Sequence, residues 1–359
     1  DQVPLFESEI NKVVFSKYAV AVNSGTSALH IACLALNLKK NDYLWTSPVS
    51  FVASANCGLY CGAKIDFVDI NISTGLIDTD KLKDKLEESQ KTGKLPKILI
   101  CVHLAGTSCE MKIIKNLSKE YGFKIIEDAS HALGGTYHQR PVGSCDNSDI
   151  SVFSFHPVKI ITTAEGGVAT TNNIELFEKM KFLRSHYIEK DKKNFLSDDY
   201  GLWTYEQQGL GFNYRMNDIQ AALGISQLKR LSKIINKRNQ ILDFYKRNLK
   251  SDEITFLEIP ESVKSSVHLV IILLKNISYE SYKNIFAKLR SYNIGVQLHY
   301  IPIHLQPYYR NLGFKEGDFP SSENYSKMAI SIPVFEDLKK REMNYVIEKL
   351  TQTYSQFSK

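Results

Sequence analysis

Lys159 is the residue best placed in this chain to do covalent chemistry. It stands in the stretch 152–167, VFSFHPVKIITTAEGG, where a short apolar run turns at His156-Pro157 and a lysine follows among apolar neighbours. Desolvation disfavours the ammonium form, so a lysine in such a setting becomes an amine able to attack a carbonyl and form a Schiff base. Taken alone, the stretch reads better as a surface loop with an exposed lysine.

Two pieces upstream change that balance. Asn23 to His30, NSGTSALH, follows a strand-like run and opens an amphipathic one, so Ser24, Gly25 and Thr26 sit at a helix N-terminus. Free backbone N–H groups and the positive end of the helix dipole make that position a cradle for phosphate. Farther on, 123–131 reads FKIIEDASH, a buried-strand pattern that ends in an acid. Open sheets bind ligands beyond the carboxyl ends of their strands. A lysine amine, a phosphate cradle and a carboxylate are the parts that pyridoxal phosphate (PLP) requires, because its ring nitrogen must stay protonated and Asp128 would hold that proton. Each part also has a plainer reading: helix capping for Ser24 and Thr26, and a strand-end cap for Asp128.

These motifs, with SPVSFVASAN, VHLAG, GFNYRMNDIQAALG and HYIPIHLQPYY, resemble the DegT/DnrJ/EryC1/StrS family of PLP-dependent sugar-nucleotide aminotransferases, nearly end to end. The resemblance implies the type I (aspartate aminotransferase) α/β fold, with a mostly parallel sheet covered by helices on both faces and a smaller C-terminal α/β domain. It implies Phe51 as the aromatic stacked on the cofactor ring, His131 beside the cofactor's phenolic oxygen and Ser154 on its phosphate. Asn213 would reach the phosphate of a neighbouring subunit, which implies a homodimer with shared active sites. The loop carrying His299, Tyr300, Pro302, His304 and Tyr308 would close over a nucleotide sugar. SFHPVK followed by ITTAEGG, and a histidine three residues after the ring-nitrogen Asp, is most similar to the branch that aminates UDP-4-keto-6-deoxy-AltNAc on the way to pseudaminic acid. L-glutamate would donate the amine, with Lys159 as both anchor and acid/base. A family relative that dehydrates sugars carries His where Lys159 stands, so the lysine favours transamination. Two other readings stay open: an aminotransferase for a different UDP- or dTDP-linked keto sugar, and a PLP-binding regulatory protein that turns nothing over.

The elements that must position these residues follow from pattern. A chain of 359 residues exceeds one comfortable core, which predicts a large domain over 1–230 and a small one over 231–359. Strand-like runs at Tyr18–Val22, 44–47, 64–69 and 98–103 alternate with helical ones, the mark of a mostly parallel sheet. Beyond it, a helical run from Asn217 to about Lys250 bridges the halves, and strands are expected at 268–274 and 295–299. Arg184 closes a helical run, where it could pair with the carboxylate of an amino donor, with a substrate phosphate, or with the end of its own helix. Tyr187 departs from the family, which commonly has Gly there. The segment 190–208 is charged and weakly patterned, a surface loop or dimer-contact segment. The N-terminal DQVPLFESEINKVV resembles what normally follows a first helix and turn, so part of the family's N-terminal arm is expected to precede it.

Composition narrows the partners. Hydrophobic residues make up 43% and charged residues 23%, ordinary for a folded soluble protein. Forty-five Lys+Arg against 39 Asp+Glu is a mild excess without a block, which suits an anionic small substrate and argues against nucleic acid. Six cysteines lack zinc spacing, and the pair His299/His304 lacks further ligands, so no metal is expected. No membrane-spanning run is visible, and a reducing cytoplasm is the expected location.

Overall fold

The computed structural model describes residues 1–197 and 201–358. Its main sheet has seven strands: β1 (Tyr18–Val22), β2 (Tyr43–Thr46), β3 (Lys64–Phe67), β4 (Ile98–Val102), β5 (Lys124–Asp128), β6 (Ile150–Ser154) and β7 (Gly167–Thr171). They lie in the order β1-β7-β6-β5-β4-β2-β3. The pairs from β3 through β6 are parallel, and only β7 runs antiparallel to its neighbours β1 and β6. β4 is buried along its whole length, as a parallel strand covered on both faces must be.

The helices that bear on the site start and stop for identifiable reasons. Helix α1 covers Gln2–Val14, and α2, Gly25–Ala35, begins where Ser24 accepts a hydrogen bond from the Ser27 N–H. Helix α3 spans Ala53–Tyr60 behind the Pro48 turn. Helix α4, Thr79–Thr92, is capped by Asp78 and ended by Gly93 at φ 70°; α5, Met111–Tyr121, ends the same way at Gly122. Sequence periodicity had not marked α5 out, although its buried Met111, Ile114, Leu117 and Ser118 define one inward face. Helix α6, Ile174–Arg184, takes its N-cap from Asn173.

The bridging run expected from Asn217 to about Lys250 is two helices. Helix α7, Asp218–Leu228, opens on a capping box between Asn217 and Gln220, and α8 covers Leu231–Asn248. Beyond it a three-stranded antiparallel sheet forms from β8 (Ile254–Phe256), β9 (Val270–Leu274) and β10 (Ala329–Ile332), packed by α8, helix Tyr279–Ser291 and helix Lys340–Phe357. The strand expected at 295–299 is reduced to a single bridge between Gln297 and Ser331, and a short helix, Pro320–Ser326, precedes β10. The 295–299 segment meets β10 at Ser331, and Tyr300 just beyond it lines a cavity at the main sheet. Within 190–208, Glu206–Gln207 pairs with Ile188–Glu189, while residues 198–200 lie outside the described part.

Candidate active site

Strand β5 ends in Glu127-Asp128, and the alternation of a strand sends the two carboxylates to opposite faces. Glu127 is spent on structure. Its Oε2 lies 2.7 Å from His103 Nε2, and its Oε1 accepts from Ser148 and Ser151. His103 Nδ1 accepts from the Cys109 N–H, so this fully buried histidine braces the turn after β4.

Asp128 faces the other way, into a cavity of about 340 Å³ beyond the carboxyl ends of the parallel strands. Lys159 lines the same cavity from the far side of the β6–β7 connection. Burial lowers the Lys159 amine to about 8, against the opposing pull of the Asp128 carboxylate. An amine so placed is deprotonated often enough near neutrality to act as a nucleophile or base.

The floor of the cavity is the junction of α2 with β6. Gly25 must be glycine, since a Cβ there would stand 2.9 Å from Ser154 Cβ. That close approach brings the first-turn N–H groups of α2 and the hydroxyls of Thr26 and Ser154 to one rim of the cavity. The Ser24 hydroxyl is occupied: it accepts from Ser27 N and lies 2.9 Å from Ser27 Oγ. Its role here is the helix cap that exposes its neighbours' backbone.

The walls come from three elements. Phe51 is 58% exposed at the mouth, its ring centroid 6.3 Å from that of Tyr300. His131, three residues beyond Asp128, is buried with Nδ1 lacking a hydrogen-bond partner among the described residues, and Nε2 stands 3.3 Å from the Tyr300 hydroxyl. Burial, aided by Lys159, His268 and His299, pushes His131 well below the usual imidazole range, so it is a neutral donor or acceptor. An orphaned buried ring nitrogen, a phosphate-sized helix terminus, a buried amine and a carboxylate all face one cavity. They fit pyridoxal phosphate, whose oxygens, phosphate, aldehyde and ring nitrogen need these partners.

Other expected contacts fall elsewhere. Arg184 does not line the cavity; its Nη1 lies 2.6 Å from Glu7 Oε1 and 2.9 Å from the Ala21 carbonyl, tying α6 to α1 and β1. Its Nη1 is engaged and the side chain lies outside the cavity lining, so it does not meet a molecule bound there. His304 is fully buried and bonded through Nε2 to Glu323 at 3.0 Å, with Phe67 and Phe319 against its ring. It holds the loop together and offers nothing to a sugar. Pro302 is buried as the N-cap of the turn Ile303–Leu305, and Tyr308 is 60% exposed against Tyr309, both outside the cavity. His299 is held by Ser331 Oγ at 2.7 Å, and burial, with Lys159, lowers it to about 4. Of that loop only Tyr300 reaches the cavity. Asn213 is exposed and bridges to Ser185, away from the cavity of its own chain.

Several cavity residues were not anticipated. Ser50, Ser130, His156 and Glu165 line it, and Ser54 lies behind Ser50 with its hydroxyl 2.6 Å from Asp128. Ser50 and Ser54 stand four apart at a strand-to-helix turn, a same-face spacing that could have flagged them.

Comparison with known proteins identifies the class. The fold is that of the type I PLP-dependent aminotransferases: Helicobacter pylori PseC, an aminotransferase involved in the biosynthesis of pseudoaminic acid, superposes with a TM-score of 0.88 at 33% identity, covering 99% of this chain and 92% of its own. The PLP form of Streptococcus pneumoniae Spr1654 superposes equally well, with a TM-score of 0.88 at 27% identity over 99% of this chain and 92% of its own. Residues 1–351 match the DegT/DnrJ/EryC1/StrS aminotransferase family, and the chain belongs to that family. Among curated relatives, the UDP-4-amino-4,6-dideoxy-N-acetyl-beta-L-altrosamine transaminase of Campylobacter jejuni is 39% identical over 96% of this chain and 88% of its own length. The spore coat polysaccharide biosynthesis protein SpsC of Bacillus subtilis is 36% identical over 97% and 88%.

Proposed function

We propose that this aminotransferase moves the amino group of L-glutamate to C4 of UDP-4-keto-6-deoxy-L-AltNAc, a step of pseudaminic acid biosynthesis. The observation that carries this reading is the 39% identity, over nearly the whole chain, with the altrosamine transaminase of C. jejuni. The cavity that joins Lys159 and Asp128 supports it.

Pyridoxal phosphate, when bound, supplies the aldehyde and the electron sink that let an amino group leave one carbon skeleton for another. In this reading Lys159 would hold its aldehyde carbon, Asp128 its ring nitrogen, and the α2 N-terminus at Gly25 and Thr26, with Ser154, its phosphate. Phe51 would cover the ring face and His131 would donate to the phenolic oxygen. Once the amine of glutamate has displaced it, the freed Lys159 Nζ would take the proton from the α carbon and later return one at sugar C4. A single group can do both because its amine, lowered to about 8, is neither firmly charged nor inert at neutral pH. Tyr300, closing the cavity from above, limits water and packs on the incoming sugar.

A homodimer with shared sites is part of the proposal, with Asn213 contributing to the neighbouring site. The outward Leu202, Trp203 and Leu210, 92%, 81% and 80% exposed, supply apolar surface for a second copy. The division into a domain over 1–230 and one over 231–359 is adopted in the same spirit, and a cytoplasmic setting suits six free cysteines. A panel of UDP- and dTDP-linked keto sugars, incubated with protein, PLP and ¹⁵N-glutamate, tests the reading. Labelled 4-amino sugar should form fastest from the UDP-4-keto-6-deoxy-AltNAc substrate, and preference for another sugar would overturn the assignment.

A further inference from the structure

Behind the cavity wall, three oxygens stand in line. Ser54 Oγ is 2.6 Å from Asp128 Oδ2, and Ser50 Oγ is 2.7 Å from Ser54 Oγ. Ser54 is fully buried and Ser50 nearly so, at 3% exposure. The direction of the chain follows from hydrogen counting. An ionised carboxylate can only accept, so Ser54 donates to Asp128. Its single hydrogen is then spent, so Ser50 must donate to Ser54. The second carboxylate oxygen, Oδ1, accepts from the Ser130 N–H at 3.2 Å.

We propose that Ser54, backed by Ser50, is a positioning residue for Asp128: the directed hydroxyl chain keeps the carboxylate ionised and so keeps the shared proton on the ring nitrogen of bound pyridoxal phosphate. This rests on the reading of Asp128 given above. A proton between a carboxylate and a pyridine nitrogen divides according to their relative basicity. Each hydrogen bond donated to the carboxylate stabilises its charged form and lowers its proton affinity, which moves the proton toward the ring. Hydrogen bonds to charged groups are the strong ones, and a chain of donors polarises along its length. Deleting one such donor should change the partition about tenfold. A hydroxyl pair kept only for packing would be replaceable by alanine without touching the ring proton. The chain also holds the Asp128 rotamer, since Oδ2 is anchored from α3 and Oδ1 from the following turn, on two different elements.

The test uses the full chain loaded with PLP carrying a ¹⁵N ring nitrogen. In wild type the ring ¹⁵N chemical shift should report a protonated nitrogen. Ser54→Ala should move it toward the unprotonated value and slow the glutamate half-reaction about tenfold, with KM for glutamate unchanged. Ser54→Thr should restore both, and Ser50→Ala should move both by less in the same direction. A Ser54→Ala protein that binds PLP with the wild-type ¹⁵N shift would overturn the proposal; should that variant not fold, an unmoved shift in Ser50→Ala would do the same. Asp128→Asn separates this failure from that of the underlying reading. If it too leaves the ring signal unmoved, Asp128 is not the ring partner and both fall. None of these readouts needs the sugar nucleotide, so the outcome stands whichever sugar is the substrate.

Discussion

The hydroxyl of Tyr300 lies 3.3 Å from Nε2 of His131, with the two rings 6.2 Å apart and inclined at 23°. A residue of the crossing segment between helices Tyr279–Ser291 and Lys340–Phe357 thus closes over one that follows the end of β5. The hydrogen bond spans elements that share no strand pairing, so the cavity depends on how the C-terminal part docks on the main sheet. Tyr300→Phe keeps the ring and removes the bond. We expect a loss of about 1 kcal/mol, roughly fivefold in kcat/KM for the keto sugar, with the glutamate half-reaction less affected. Steady-state kinetics with each substrate varied in turn checks this.

Lys159 leaves a signature in stability that is separate from catalysis. Burial lowers its folded value to about 8 against an ordinary 10.5. Between those values the unfolded chain binds a proton that the folded one does not, so stability rises with pH across that window. Below about 8 the cost of the buried ammonium is fully present, on the order of 3 kcal/mol. In cofactor-free protein, Lys159→Met should therefore be more stable than wild type at pH 7, with the advantage fading as pH climbs from 8 toward 10.5. Urea unfolding at a series of pH values measures it.

Gly25 tests the phosphate cradle. A Cβ there meets Ser154 at 2.9 Å, so Gly25→Ala must push the start of α2 away from β6. Overpacking of this kind costs about 1–3 kcal/mol, and we expect PLP affinity to fall at least about tenfold while the fold survives. Equilibrium dialysis against PLP, with circular dichroism on the same sample, separates the two effects.

His304 should behave as a structural residue. Its bond to Glu323 is buried, and removing one partner of such a pair costs about 3 kcal/mol. His304→Ala should lower the thermal midpoint yet leave KM for the sugar nucleotide within about twofold. A selective rise in KM would restore it to the substrate site.

The core of the site was legible because its parts are local signals. An apolar strand ending in Asp128, a Ser-Gly-Thr helix start and a lysine amid apolar residues each span fewer than ten positions; each alone reads as an ordinary cap or loop, their joint occurrence points to one site, and the fold brings them to one cavity. What sequence could not resolve was the destination of side chains whose partners are distant. Arg184 reads as a partner for a substrate anion or for its own helix end until Glu7, far back in the chain, is seen beside it. His304 reads as a sugar ligand until Glu323 and Phe319 enclose it. The run from Asn217 is broken at Lys229-Arg230, and the passage between cores falls beyond that break: Ala221 of α7 and Leu231, Ile234 and Ile235 of α8 pack into one, and Ile241, Leu242 and Tyr245 into the other. Ser54 escaped notice because serines four apart at a helix start have many ordinary uses, and the 2.6 Å approach of Ser54 to Asp128 is what singles it out.

The central claim is that Lys159 is the amine that holds the cofactor. Borohydride reduction of the PLP-loaded protein, followed by proteolysis and mass spectrometry, tests this most directly. We expect the reduced pyridoxyl mass on the peptide containing Lys159 at about one per chain, and its loss in Lys159→Arg. Label on another lysine, or none on a protein saturated with PLP, would contradict it.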